Sequence, residues 1–234
     1  MALNVIMLGP PGAGKGTQAE RFARAMGIPR ISTGDILREA VRAGSEIGLR
    51  AQAIMDRGEL VSDEVMVGIV RERLDRPDVA DGFVLDGFPR TVAQASALDA
   101  IMRGRPPLVV VDIEVPEAEL VRRLADRLVC EACGLNADSA NLARAAADGR
   151  APRCGWCGGR LRQRSDDSDD VVGERLRVYR RDTQPLVDYY RARPTFRAID
   201  GAQPPDRVAA ALAEAVESMT HGREGGVADM GAAR

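Results

Sequence analysis

Hydrophobic and polar positions follow two periods along the chain. Short apolar runs of strand length alternate with longer stretches in which apolar residues recur every three to four positions. Leu3-Asn-Val-Ile-Met-Leu8 predicts a buried strand entering a glycine-rich turn, and Lys15 to Met26 predicts the helix that follows. Ile31 marks a second, short extended piece. Residues 32–61 predict a compact helical stretch with Ser32-Thr-Gly-Asp35 as its N-terminal cap. Asp63 opens a helix to about Asp75, Gly82-Phe-Val-Leu-Asp86 reads as a strand ending in an acid, and Thr91 caps a helix to about Met102. Pro106-Pro107 then introduces Leu108 to Val115, the most continuous β-branched run and the expected central strand. A helix is expected at Glu117 to Arg127, a long one from about Asp169 to Arg191, a strand at Phe196 to Asp200 and a helix at Asp206 to Ser218. Strands alternating with helices predict an α/β protein, a parallel sheet with helices on both faces. Residues 32–61 and 128–168 interrupt the alternation as insertions at its ligand edge, and Thr220 to Arg234, rich in Gly and Ala, is expected to be disordered.

Composition narrows the class. With 234 residues, 45% hydrophobic and 29% charged, the chain can bury one core and carry insertions. Aromatics are only 3%, so the core must be aliphatic. A net charge of −2 argues against nucleic acid as the main partner. No wholly apolar run approaches the roughly 18 residues of a membrane span. The N-terminus lacks a basic region and a cleavage signal, which predicts a cytoplasmic protein. A monomer is expected.

Two scarcities bear on chemistry. Of the 33 basic residues Lys15 alone is a lysine, and the only histidine, His221, falls in the expected tail. Histidine-based triads and His-ligated metals are thereby excluded from the folded body. Gly9-Pro-Pro-Gly-Ala-Gly-Lys-Gly-Thr17, between a predicted strand and a predicted helix, has the context of a phosphate-binding loop. Backbone N–H groups of such a loop close around a polyphosphate, the helix N-terminus adds positive potential, and Lys15 reaches the β and γ oxygens. The common loop has Ser or Thr directly after the lysine; here that place is Gly16, with Thr17 one later. Asp86, at the carboxyl end of its strand, is the candidate magnesium acid, directly or through water. A strand-ending Asp also serves as a cap.

Cys130-Glu-Ala-Cys133-Gly and Cys154-Gly-Trp-Cys157-Gly are two CxxCG knuckles 20 residues apart. Each presents two thiolates on one tight turn, which predicts a structural zinc held by four cysteines. Two disulfides or free thiols are the alternatives.

Four motifs together resemble the adenylate kinase family, in its order and spacing: Gly9 to Thr17, Ser32-Thr-Gly-Asp-Ile-Leu-Arg38, Asp86-Gly-Phe-Pro-Arg90 and Arg164-Ser-Asp-Asp167. Thr183-Gln-Pro-Leu-Val-Asp-Tyr-Tyr190 extends the match, which covers residues 3 to about 217. The resemblance implies a P-loop NTPase fold and reversible phosphoryl transfer from magnesium-ATP to AMP, giving ADP. It divides the chain into a core (1–31, 62–127, 167–218), an AMP-binding insertion (32–61), a zinc lid (128–166) and a tail (219–234). For ATP it implies Gly12, Ala13, Gly14, Lys15, Gly16 and Thr17, with Arg123 and Arg127, and Gln203 where backbone touches the base. For AMP it implies Thr33, Arg38, Glu59, Leu60, Val61, Gly87, Phe88, Pro89, Arg90, Gln94, Arg164 and Arg175. Arg123, Arg127, Arg164 and Arg175 would close on the transferred group with Lys15 and Arg90, Arg123 would stack on the ATP adenine, and Asp166 and Asp167 would tie the lid to its hinge. Gln94 favours AMP, since kinases for UMP or CMP usually carry Asn there.

One segment departs from the family. A typical zinc lid has Tyr-His soon after the first knuckle, whereas this chain runs Leu135-Asn-Ala-Asp-Ser-Ala-Asn-Leu-Ala-Arg-Ala-Ala-Ala-Asp148, with residues suited to a helical turn. The usual lid contact with ATP near Asn136 and Ala137 therefore does not carry over from the motif. Two rivals remain open on sequence: a kinase for another nucleoside monophosphate, and a zinc-ribbon nucleic-acid-binding NTPase, for which Arg160, Arg162 and Arg164 would be the basic face.

Overall fold

A computed structural model describes residues 2–137, 142 and 151–221. The strands are β1 (Leu3–Leu8), β2 (Arg30–Ser32), β3 (Gly82–Asp86), β4 (Leu108–Glu114), the short β5 (Val129–Cys130) and β6 (Leu161–Arg162), and β7 (Phe196–Asp200). The helices are α1 (Lys15–Met26), α2 (Thr33–Arg42), α3 (Glu46–Asp56), α4 (Asp63–Leu74), α5 (Val92–Ile101), α6 (Glu117–Ala125), α7 (Asp169–Val178), α8 (Pro185–Arg191) and α9 (Pro205–His221).

Helical crossovers return the chain to the same edge each time, so the five-stranded sheet is parallel throughout, in the order β2-β3-β1-β4-β7. Alternate residues of its strands enter two separate hydrophobic cores. They are mostly aliphatic, but Phe22 is buried in one and Phe83, Phe88 and Tyr190 in the other, so the expectation of an aliphatic core holds only in part. Val5, Met7, Val84, Val109, Val111 and Ile199 pack with α1, α6, α7 and α9 on one face. Ile6, Leu8, Ile31, Leu85 and Val110 pack with α2, α4, α5 and α8 on the other. Burial on both faces explains why these strands read as continuous apolar runs. The chain turns opposite ways on either side of β1, which places the β1–α1 loop at the switch point where open sheets bind ligands.

Most predicted elements stand within a residue or two of their expected ends. Ser32 caps α2 by accepting from Asp35 N at 3.2 Å, and Thr91 caps α5 by accepting from Gln94 N at 3.1 Å. Three readings change. The strand β4 is interior but not central; the middle of the sheet is β1, whose register pairs it with both β3 and β4. The expected long helix is interrupted by a π turn at Tyr179–Thr183 before Pro185. Pro185 has no N–H for the ladder, and Gln184 N instead reaches back to the Tyr179 carbonyl at 2.8 Å. The last helix continues through His221, so the histidine ends α9 and does not begin a tail. The expected tail beyond it, and the expected helical turn within 138–141 and 143–148, lie outside the described residues.

Candidate active site

Lys15 is the first residue of α1, and Gly14 before it adopts φ 93°, leaving the helix start without a side-chain cap. The first N–H groups of α1 thus remain available to an anion. Gly9 opens the loop at φ 134°, and a β-carbon there would lie 2.6 Å from the Ile113 carbonyl oxygen, so only glycine fits. Lys15 Nζ donates to the carbonyls of Gly9 (2.7 Å) and Pro10 (2.8 Å). Burial, followed by Arg90, Arg175 and Arg127, lowers its pKa to about 8 against the opposing pull of Asp86.

A cleft of about 1550 Å³ runs from this loop along the carboxyl edge of the sheet. The predicted loop residues Gly12, Ala13, Gly14, Lys15, Gly16 and Thr17 all line it. Arg123, Arg127 and Gln203 line the end near α6 and α9. Arg123 is held there by Glu119 (2.8 Å) and by the Gly201 carbonyl (3.0 Å), which brings it beside the loop that carries Gln203. Thr33, Arg38, Glu59, Leu60, Val61, Gly87, Pro89, Arg90 and Gln94 line the opposite end, and Arg164 and Arg175 lie between. Phe88 is the exception. It is 1% exposed and packs into the hydrophobic core, so of the predicted AMP residues its side chain alone does not line the cleft.

The arginines are held in a mutually repelling cluster. Burial, then Arg175, brings the Arg90 pKa down to about 10, and burial, then Arg38 and Arg127, brings that of Arg164 to about 9. Guanidinium groups stay protonated under such pressure, so the cluster stores positive potential that a polyanion relieves. Its anchors are acids in the short turn Ser165–Asp167 that follows the cysteine segment. Asp167, with no exposed side-chain surface, pairs with Arg127 and with Arg175, the latter at 2.7 Å. Asp166 pairs with Arg175 at 3.2 Å. Ser165 Oγ donates to Asp56 at 3.1 Å and so links this turn to α3.

At the far end, Thr33 Oγ1 and Arg90 Nε both donate to the Gly87 carbonyl at 2.8 Å, fixing the Asp86–Arg90 turn, which contains a cis Phe88–Pro89 bond. Gln94 is buried, not an exposed helix position. Its Oε1 accepts from Arg90 N at 2.7 Å, and its Nε2 donates to Asp63 at 2.7 Å. An amide has two donors and two acceptor lone pairs, so one of each remains for a ligand. Asp63 was not foreseen: as the first residue of α4 it reads in sequence as an ordinary helix-start acid.

Asp86 lies at the end of β3 with its Oδ2 2.8 Å from Arg30 Nη2, and the same nitrogen is 2.9 Å from Asp35 Oδ2. Neither Arg30 nor Asp35 was singled out by motif as a site residue. Asp35 is held below the usual carboxylate range, burial being outweighed by Arg38 and Arg30. The hard oxygen donors of Asp86 and Asp35 suit a water-clad magnesium.

The two cysteine knuckles fold as near copies. Gly134 N donates to Cys130 O and Gly158 N donates to Cys154 O, each at 2.9 Å. Paired through β5 and β6, the knuckles bring all four sulfurs within 4.8 Å of one another, with 3.4 Å between Cys130 and Cys157 and 3.6 Å between Cys133 and Cys154. A tetrahedron of Zn–S bonds requires sulfurs about 3.8 Å apart, so the set fits zinc. Backbone N–H groups favour the thiolate forms of Cys130 and Cys154. A β-carbon on Gly159 would lie 2.7 Å from the Cys130 sulfur, so a larger residue there would push against the cluster. The cysteine segment also reaches the cleft: Asn136 Oδ1 accepts from Arg164 at 3.4 Å, and the Arg24 guanidinium lies 4.7 Å over the Trp156 ring.

Comparison with known proteins agrees with this geometry. The family model described as adenylate kinase matches residues 7–195. An adenylate kinase of Archaeoglobus fulgidus is 49% identical over 203 residues, covering 86% of this chain and 92% of that protein. One of Desulfitobacterium hafniense is 47% identical over 230 residues, covering 95% of this chain and all of its own. One of Rhizobium rhizogenes is 47% identical over 201 residues, covering 85% and 92%. With its phosphate loop, arginine cluster and paired knuckles accounted for, the chain belongs to the adenylate kinase family.

Proposed function

We propose that the cleft binds ATP at the β1–α1 loop and AMP at the Thr33–Arg90–Gln94 end, and that it exchanges the terminal phosphoryl group between them. The chain is a nucleoside monophosphate phosphotransferase that converts ATP and AMP reversibly into two ADP. The observation that carries the site assignment is the convergence of Lys15, Arg38, Arg90, Arg127, Arg164 and Arg175 on one cleft. The attacking oxygen is already ionised on AMP, so no general base is required, in keeping with the absence of histidine among the described residues that line the cleft. Catalysis is then alignment and charge neutralisation, for which forked guanidinium groups suit phosphate oxygens.

In this reading Arg38 and Arg90 hold the AMP phosphate, while Lys15, Arg123, Arg127, Arg164 and Arg175 face ATP and the group in transfer. Magnesium bound to ATP would neutralise its β and γ oxygens, with Asp86 holding the metal through water. Zinc on Cys130, Cys133, Cys154 and Cys157 would be structural, stapling the base of a lid formed by residues 128–166 above a core of 1–31, 62–127 and 167–218. Residues 32–61 would close on AMP. The remaining donor and lone pair of Gln94 would read the adenine edge, as amide side chains do.

A screen of monophosphates as acceptors for ATP, with and without magnesium, tests the assignment. AMP is expected to exceed UMP, CMP and GMP by about a hundredfold, since each unpaired buried group costs roughly 1–3 kcal/mol. Gln94→Ala is expected to raise the KM for AMP while leaving that for ATP nearly unchanged. Equal use of UMP or CMP by the unmodified enzyme would reassign the base.

A further inference from the structure

The loop position that commonly bears a metal-holding hydroxyl is Gly16 here, and its surroundings show what stands there in place of a side chain. A β-carbon on Gly16 would lie 3.3 Å from Arg30 Nη2 and 3.3 Å from Asp86 Oδ2. One guanidinium nitrogen therefore stands against the phosphate loop while contacting two carboxylates, Asp86 at 2.8 Å and Asp35 at 2.9 Å. The Arg30 side chain is 19% exposed, and its strand places it inside the cleft beside β3. A third carboxylate, Glu20 of α1, lies 3.8 Å from Arg30 Nη1.

We propose that Arg30 is a resident cation that competes with magnesium for the Asp35–Asp86 carboxylate pair and so sets how strongly the metal tightens ATP binding. The inference rests on the reading of Asp86 as the metal's acid. The argument is one of charge. Two carboxylates facing a polyphosphate attract a divalent ion, and a fixed guanidinium between them cancels half of that attraction and repels the ion as it arrives. The same guanidinium supplies positive charge to metal-free ATP, narrowing the difference between the two nucleotide forms from both sides. Glu20 offers the displaced arginine a second anchor, so that exchange of Arg30 for the metal need not leave a buried cation unpaired.

The measurable quantity is the factor by which magnesium tightens ATP binding, taken by isothermal titration calorimetry with ATP and with magnesium-ATP in the absence of AMP. Arg30→Gln is expected to raise that factor about fivefold to tenfold, the scale of one charge repelling a divalent ion about 6 Å away in water-like surroundings. Arg30→Met, neutral and of similar stem, is expected to do the same should the glutamine variant fold poorly, whereas Arg30→Lys should stay within about twofold of the parent. Asp86→Asn separates the inference from its foundation, since it should lower the factor. If it does, and neither neutral variant raises it, the role of Arg30 is overturned while the metal acid stands. If Asp86→Asn leaves the factor unchanged, the metal acid itself is misassigned and the inference falls with it.

Discussion

Lys15 shows how one residue's environment sets a measurable proton balance. Its ammonium is buried among guanidinium groups, and the pKa of about 8 means that it is charged below that pH and increasingly neutral above it. Bound polyphosphate favours the charged form and raises the pKa again. ATP affinity should therefore be level below pH 8 and weaken as pH rises through it. Above pH 8 each binding event should draw close to one proton from solvent, read from calorimetry in buffers of different ionisation enthalpy. Binding at pH 9 with no proton uptake would show that Lys15 does not meet the phosphates. Lys15→Ala is expected to lower turnover by about a thousandfold or more, the scale of losing a preorganised charge at a transition state. No other lysine in the chain can substitute for it. At this scale legibility varied sharply. A loop motif made Lys15 readable, whereas Arg30 belongs to no motif and became visible through its two carboxylate partners. For Gln94, resemblance to the family indicated the residue but not that half its hydrogen-bonding capacity is committed to Arg90 and Asp63.

Among elements, the knuckles make the most local prediction. Their turns close within five residues, so sequence spacing alone carried the geometry of each pair of sulfurs. The meeting of the two pairs depends on β5 and β6 joining across the intervening segment. Purified protein from zinc-replete cells is expected to contain one zinc per chain by elemental analysis. Cys154→Ala should lower Tm while activity at low temperature survives, because the cluster stands apart from the reacting groups. Protein that carries no zinc yet melts like the parent would refute the assignment. Helix ends were legible where a side chain makes the cap, as at Ser32 and Thr91. The π turn at Tyr179–Thr183 was not, although Pro185 marked the place. A proline removes a donor, but only packing decides whether the helix ends there or widens by a residue and goes on. In this chain Thr183 Oγ1 donates to the Arg90 carbonyl at 2.8 Å, tying that turn to the Asp86–Arg90 turn that lines the cleft.

For the whole molecule, the buried acid Asp167 joins parts distant in sequence. It accepts from Arg127, just after α6, and from Arg175 on α7, while neighbouring Asp166 reinforces Arg175. Asp167→Asn keeps the shape but removes the charge facing two buried cations. The expected loss is about 3–5 kcal/mol of stability, measured by urea unfolding, because breaking a buried pair leaves charge uncompensated. Turnover should fall with it, since both arginines face the cleft. A loss below about 1 kcal/mol would mean that the guanidinium groups find other partners or water.

Sequence by itself determined the parallel α/β architecture, the phosphate loop and the four cysteines, because each depends on chemistry within a short stretch of chain, whereas the arginines were indicated by resemblance to the family. Apolar runs, caps, glycine turns and knuckle spacing act over a few residues and need no partner to be read. Tertiary structure alone decided which strand is central, which carboxylates meet Arg30, where Gln94 spends its amide, and that Phe88 faces the core. Those outcomes depend on electrostatics and packing between segments as far apart as Arg30 and Asp86. Charge pairs of this kind are selected by fold-imposed proximity, and in a sequence with so many arginines and acids, proximity is the one property that spacing along the chain does not encode.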